Sequence, residues 1–282
     1  MAWKPTKCGR RNRAASPAVS SVIITGVMVA LVTVALAFAS NFLLVRMAES
    51  EFSSARQSMQ TLGLQIDDVA WVIGRTETMR YSSRYGSASF RESALNYTIY
   101  INTTSPVRTN YKFHTNLTDV VLFDMPVSQY SLGDDYFESI FPSYDDGFLF
   151  NETSSPVARV FVVEKLPMAD GSFVRIVVAP AFRMICLSIG GTRYVRLFLP
   201  VLKHGESSWN SQSVTLTGES TKTRTIEHVT GIRIEATFPL NGTGFDNSFF
   251  NFPQTVESIP LAGETILEVF VGGVDVAFGV HA

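Results

Sequence analysis

Residues 14–45 read AASPAVSSVIITGVMVALVTVALAFASNFLLV and contain no charged side chain. The run is longer than the ~20 apolar residues that a membrane-crossing helix needs. Lys4, Lys7, Arg10, Arg11 and Arg13 precede it with no acid among them, whereas Arg46 alone follows before Glu49 and Glu51. Basic excess holds its own flank in the cytoplasm. The expected topology is therefore single-pass, with a basic cytoplasmic leader over 1–14, a transmembrane segment over 15–45 and the long remainder extracellular.

The helical pattern continues beyond the apolar run. Val45, Ala48, Phe52, Ala55, Met59, Leu62, Ile66, Val69 and Ile73 recur at steps of three and four, the spacing of one helix face. Glu49, Glu51, Arg56, Gln57, Gln60, Asp67 and Asp68 fill the other positions and predict a wet face. Ser16 suits an N-cap, Pro17 the first helical position and Gly74 a C-cap. One helix over 17–73 would be about 85 Å long at ~1.5 Å per residue. Its outer half, within 46–74, is expected to lie against an exported sheet. A homodimeric coiled coil fits less well, because Ala48 and Ala55 sit in the stripe and regular opposite charges do not flank it. Ala30, Ala35, Ala37, Ala39 and Ser40 in the inner half would let copies of the helix pack closely.

After Gly74 the helical period gives way to short β-branched and aromatic runs separated by turn signals. MRYSSRYGSASFRE reads as two strands around Tyr85 and Gly86, followed by ALNYTIYIN, DVVLFDM, VARVFVVEKL, SFVRIVVA, FRMICLSI and TRYVRLFLPVL. LEVFV and VDVAFGV read as a last hairpin about Gly272 and Gly273. DDYFESIF reads as a short helix or turn, and the Ser/Thr-rich stretch from Glu206 to Thr225 as a solvated hairpin or linker, with the alternation of Val214 and Leu216 favouring the hairpin. The fold class expected is α+β: one long N-terminal helix followed by an antiparallel, sandwich-like β domain over 75–282.

Charge and cysteine content narrow the function. The leader carries five of the 23 basic residues, so the remaining 18 basic and 25 acidic residues give the rest of the chain a net charge of −7. A body that acidic lacks the basic footprint of a nucleic-acid binder. Cys8 and Cys186 fall on opposite sides of the membrane and cannot pair. Cys186, within FRMICLSIG, is expected to be a buried, inert thiol. His114, His204, His228 and His281 are scattered with no zinc-ligand spacing. No nucleophile elbow, metalloprotease helix or phosphate-binding glycine loop occurs. Asp134 with Asp135, and Asp145 with Asp146, lack the alternating spacing of a calcium loop and read as solvated turns. No catalytic residue, cofactor or metal site is expected, and the chain reads as a non-enzyme. Asn96, Asn102, Asn116, Asn151 and Asn241 each begin an Asn-x-Ser/Thr sequon, which on an extracellular domain makes them N-glycosylation candidates.

Two processing signals compete in the N-terminal region. Ala37, Phe38 and Ala39 before Ser40 offer a small-x-small site for a general signal peptidase, although a cut there would divide a continuous helical pattern. Arg13 and Ala14, followed by Ala15, Ser16, Pro17, Ala18 and Val19 and then an unbroken hydrophobic helix, resemble the class III signal of archaeal type IV pilins. DDVAWVIGRTETMRYSSRYGS, at the outer end of the helix, is similar to the corresponding junction in larger archaeal pilin-like proteins. Ala18 and Val19 stand where that family usually has Val-Ile, and the exported domain is larger than in most major pilins. Val19 stands where bacterial pilins carry a glutamate, so the likeness is to the archaeal branch.

The resemblance implies cleavage by a prepilin peptidase between Ala14 and Ala15, next to Arg13. It also implies storage in membrane lipid and assembly, through the apolar helix, with copies of itself or with other pilin-like subunits. The function expected is that of a minor or specialised cell-surface pilin-like subunit for filaments or adhesion. The alternative is an uncleaved, signal-anchored extracellular binding or envelope protein.

Overall fold

The computed structural model describes residues 17–144, 147–151, 153–207 and 212–279. The predicted processing site at Arg13, Ala14 and Ala15 lies outside the described residues, as do Cys8, Ser16, Asp145, Asp146 and His281. The chain divides into two compact units, Met1–Met47 and Ala48–Ala282. Helix α1, Pro17–Ala70, supplies the described part of the first unit and the beginning of the second.

In the first unit every residue over 19–47 is exposed. Among the described residues, the second unit contains α1 from Ala48 onward and eleven strands. These are β1 (Thr76–Arg80), β2 (Ser87–Thr104), β3 (Val107–Pro126), β4 (Tyr136–Phe141), β5 (Leu149–Phe150) and β6 (Ala158–Glu164). They continue with β7 (Phe173–Pro180), β8 (Phe182–Ile189), β9 (Thr192–Ser207), β10 (Ser213–Thr237) and β11 (Val256–Phe278). All join one sheet in the order β4-β6-β7-β3-β2-β10-β11-β9-β8-β5, with β1 added on β10. The pairing is mostly antiparallel, with β9–β11 and β5–β8 running parallel.

The sheet has a core on each face. On one face α1 contributes Phe52, Ala55, Met59, Leu62, Ile66, Val69 and Ala70, packed with Val121, Phe123, Val160, Ile176 and their neighbours. The predicted stripe is therefore buried from Ala48 to Val69, whereas Val45 and Ile73 at its ends are 56% and 67% exposed. The other core joins alternate residues of β2, β3 and β7 to β9, β10 and β11, together with Phe245, Phe249, Phe250 and Phe252. Strands β6 and β7 are buried on both faces, which is why they read as nearly unbroken apolar runs.

Helix α1 ends at Ala70, three residues short of the expected Ile73, against two glycines. A β-carbon on Gly272 would strike the Ala70 carbonyl, and one on Gly218 would strike the carbonyls of Val69 and Val72. Gly74 N–H donates to the Gly218 carbonyl at 2.7 Å and Gly218 N–H to that of Arg75 at 2.9 Å. Gly272 and Gly273 are thus not a turn but part of the continuous strand β11, where a missing side chain admits another backbone.

Four further expectations change. In DDYFESIF only Asp134 and Asp135 form a turn, and Tyr136–Phe141 form strand β4. The described residues of the Ser/Thr-rich region belong to the end of β9 and the start of the 25-residue β10, which do not pair with each other. Strand β1 pairs with β10 rather than forming a hairpin with β2. Cys186 is exposed, because β5 covers β8 only at Phe182 and Arg183, leaving the rest of that strand as an open edge.

Candidate functional site

The largest chemically distinctive surface is the apolar helix itself. Val22, Ile23, Ile24, Met28, Leu31, Val34, Leu36, Phe38 and Leu43 are each more than half exposed and lie all around the helix, a distribution that suits a lipid-facing or subunit-packing segment rather than an amphipathic one. The Thr25 hydroxyl donates to the Ser21 carbonyl at 2.9 Å and that of Thr33 to the Val29 carbonyl at 2.8 Å. Backbone bonding of this kind satisfies a hydroxyl where no water is available. The helix is long and apolar enough to cross a membrane.

In the second unit, α1 is tied to the sheet by polar contacts that sequence reading assigned to a wet face. The Glu51 carboxylate accepts from Tyr85 N–H and Gly86 N–H, both at 2.9 Å, and from the Ser83 hydroxyl at 3.2 Å. Arg56 forms a two-pronged pair with Glu138 on β4. Asp67 accepts from the Trp71 indole at 2.7 Å and from Arg183 on β8 at 2.7 Å. Burial alone would raise the Glu138 carboxyl, but hydrogen bonds from Arg56 and Tyr136 outweigh it and hold the group below the usual carboxylate range.

Among the described residues three charged side chains are almost fully buried, and each has a structural role. Arg175 meets Asp124 at 2.8 Å and Asp170 at 2.7 Å and lies over Phe173 and Phe245. Arg159 donates to the Phe250 carbonyl at 2.8 Å among the rings of Phe137, Phe161 and Phe252. Glu164 accepts from Ser131 and from the backbone of Leu132 and Gly133. Arg159 and Arg175 hold the aromatic connection between β10 and β11 onto the sheet. Lys165 joins them by reaching Asp246 at 2.7 Å. Among the described residues no three His, Cys, Asp or Glu side chains gather as a metal site. Asp134 accepts from Leu166 N–H at 2.9 Å and stabilises a turn.

The structure separates the five sequons. Asn151 and Asn241 are exposed outside the strands, Asn241 in a one-turn 3₁₀-helix over Asn241–Thr243. Asn96 and Asn102 are half-buried in β2: the Asn96 side-chain amide donates to the Thr237 hydroxyl at 3.1 Å, and the Asn102 side-chain oxygen accepts from Asn110 N–H at 2.7 Å. Asn116 is half-buried in β3, and the hydroxyl of its sequon partner Thr118 is fully buried, accepting from Leu202 N–H at 3.0 Å. Asn151 and Asn241 are therefore the two sequon asparagines with exposed side chains.

Two shallow grooves flank the β2–β3 turn. One, about 260 Å³, contains Tyr100, Asn102, Arg233 and Pro260. The other, about 250 Å³, contains Arg108, Tyr111, Phe113, Arg224 and Glu227. Arg233 lies over the Tyr100 ring and reaches Glu235 at 3.5 Å. In the second groove Arg108 lies 4.5 Å from the Tyr111 ring centre and Arg224 5.8 Å from that of Phe113. No known protein family, characterised protein or solved structure matches the chain.

Proposed function

We propose that this chain is a membrane-inserted, cell-surface structural subunit of the archaeal type IV pilin-like kind, specialised rather than the main filament protein. The observation that carries the reading is the character of α1: apolar and exposed all round over 19–47, then striped and packed into a large β domain from Ala48. The basic leader supports a cytoplasmic N-terminus and an extracellular domain. Maturation would then cut between Ala14 and Ala15, next to Arg13, through a prepilin peptidase. The freed helix would exchange lipid for copies of itself or related subunits, a step its alanines permit. Surface glycans would be carried at Asn151 and Asn241. On this reading the protein is not an enzyme and uses no cofactor.

The alternative, an uncleaved signal-anchored binding protein, gains support from the two grooves. Sequencing the N-terminus of protein purified from its native membrane separates the readings. Ala15 is expected for the pilin-like subunit and Met1 for the anchor, whereas Ser40 would overturn both. Replacing Arg13 and Ala14 is expected to block maturation, and unchanged gel mobility together with unchanged assembly would refute the pilin-like reading.

A further inference from the structure

We infer that the groove between the β2–β3 turn and β10 is a binding site for an acidic sugar residue, one bearing a carboxylate or sulfate, in a surface polysaccharide. The inference begins from charge that has no internal use. Arg108, Lys112, Lys222 and Arg224 are exposed and have no ion-pair partner among the described residues. The stretches 101–117 and 220–226 that carry them contain no acid, although the chain beyond its leader is strongly acidic. Partial burial, followed by the nearby charges of Arg224 and then Lys222, depresses the His114 pKa, which registers the positive field at this end of the sheet.

The groove arranges this charge for recognition. Each arginine already stacks on an aromatic ring, Arg108 on Tyr111 and Arg224 on Phe113. A guanidinium held against a ring keeps N–H groups with which to make a two-pronged contact with a carboxylate or sulfate. The turn beneath is braced: the Thr103 hydroxyl donates to the Pro106 carbonyl at 2.6 Å, and Asn110 N–H to the Asn102 side chain at 2.7 Å. Ile101 and Ile226 supply an apolar floor for the C–H face of a sugar ring.

Glu227 decides the class of ligand. It lines the same groove, is exposed and forms no ion pair among the described residues. A carboxylate accepts well from sugar hydroxyls and repels additional anionic charge. Two cations beside one acceptor suit a ring bearing one anionic group and several hydroxyls. A nucleic acid or a phospholipid surface presents closely spaced phosphates without that hydroxyl pattern, and the acidic body would repel an extended polyanion. The inference depends on the proposed extracellular position only for the source of the polysaccharide.

The full-length chain in detergent micelles tests it by titration calorimetry with a galacturonate trisaccharide, a sulfated galactose trisaccharide and a neutral galactose trisaccharide. Saturable binding of at least one anionic sugar is expected, weakening as salt is raised, with no saturation by the neutral one. Arg108→Gln and Arg224→Gln should each weaken binding about tenfold. Arg108→Lys should recover only part of the loss, because charge returns without the planar fork. Arg233→Gln, in the neighbouring groove where Glu235 already engages the guanidinium, should leave binding unchanged. Circular dichroism melting verifies that each variant folds. The inference fails if neither anionic sugar saturates at low salt, if the neutral sugar binds equally, if Arg233→Gln matches Arg224→Gln, or if a short single-stranded oligonucleotide binds more tightly through a contact that Arg224→Gln abolishes. None of these outcomes depends on where the N-terminus is cut.

Discussion

Residues 19–47 and 48–70 belong to the same helix but differ in what their apolar side chains meet. Over 19–47 every residue is exposed and the hydrophobic side chains surround the helix. From Ala48 to Ala70 the apolar residues other than Leu64 gather on one face, and Ala48, Met59, Leu62, Ile66 and Val69 are fully buried. Backbone hydrogen bonding is the same in both halves, so the arrangement of apolar residues separates them. An all-round apolar surface needs lipid or neighbouring subunits, whereas a stripe is satisfied by one sheet face. An aspartate placed in each half should give the largest contrast. Leu62→Asp buries an unpaired carboxylate in the helix–sheet core and should cost about 4 kcal/mol or more, enough to prevent the β domain from accumulating folded. Val32→Asp should leave thermal unfolding of the β domain in detergent unchanged while lowering recovery of the chain in the membrane fraction. Equal loss of β-sheet circular dichroism in the two variants would erase the distinction between the halves.

Glycine gives a smaller contrast of the same kind. Gly272 lies beneath the Ala70 carbonyl, whereas a β-carbon on Gly26 would meet nothing within 4 Å. Gly272→Ala should shift the end of α1 and lower stability by about 1–3 kcal/mol, the usual range for overpacking. Gly26→Ala should be neutral or stabilise its helix by about 0.5–1 kcal/mol through lower backbone entropy in the unfolded chain. Thermal melting of both variants in one detergent measures the difference. If Gly272→Ala melts with the wild type, the close approach does not constrain the helix end.

The same glycine explains where sequence reading stopped. The helix, its apolar inner run, the outer stripe and the predominance of strands were legible because each rests on local periodicity. Gly272 and Gly273 resembled a hairpin because a glycine pair has the same letters whether it turns the chain or clears space for a distant backbone. Tyr136–Phe141 resembled a helix or turn because all six residues of this edge strand are half-buried, and no in–out alternation marks them. The long β10 was obscured because its exposed middle reads like a polar linker. The acidic-sugar groove was invisible for another reason: Arg108 and Arg224 are separated by more than a hundred residues and come to one groove through the pairing of β3 with β2 and of β2 with β10. An arginine within each of the apolar runs VARVFVVE and FVRIVVA was the one available sign of the buried cations.

The smallest contrast is electrostatic. No titratable side chain lies between Val19 and Val45, so acid has no group to protonate there. The outer half has Arg56 paired with Glu138, whose folded pKa lies below its ordinary value despite the opposing effect of burial. A lowered folded pKa adds stability above the unfolded pKa and loses it as pH falls through the folded one. Both side chains are more than a third exposed, so solvent screening limits the contribution to about 0.2–1 kcal/mol. Glu138→Gln should therefore lower the melting temperature slightly at pH 7 and by less at an acid pH below the Glu138 titration. The measurement is the difference between wild type and variant at the two pH values, which cancels the acid response of the other carboxylates. A difference of the same size at both pH values would assign the effect to packing on β4 rather than to charge, and the wet face of the outer half would then contribute shape alone.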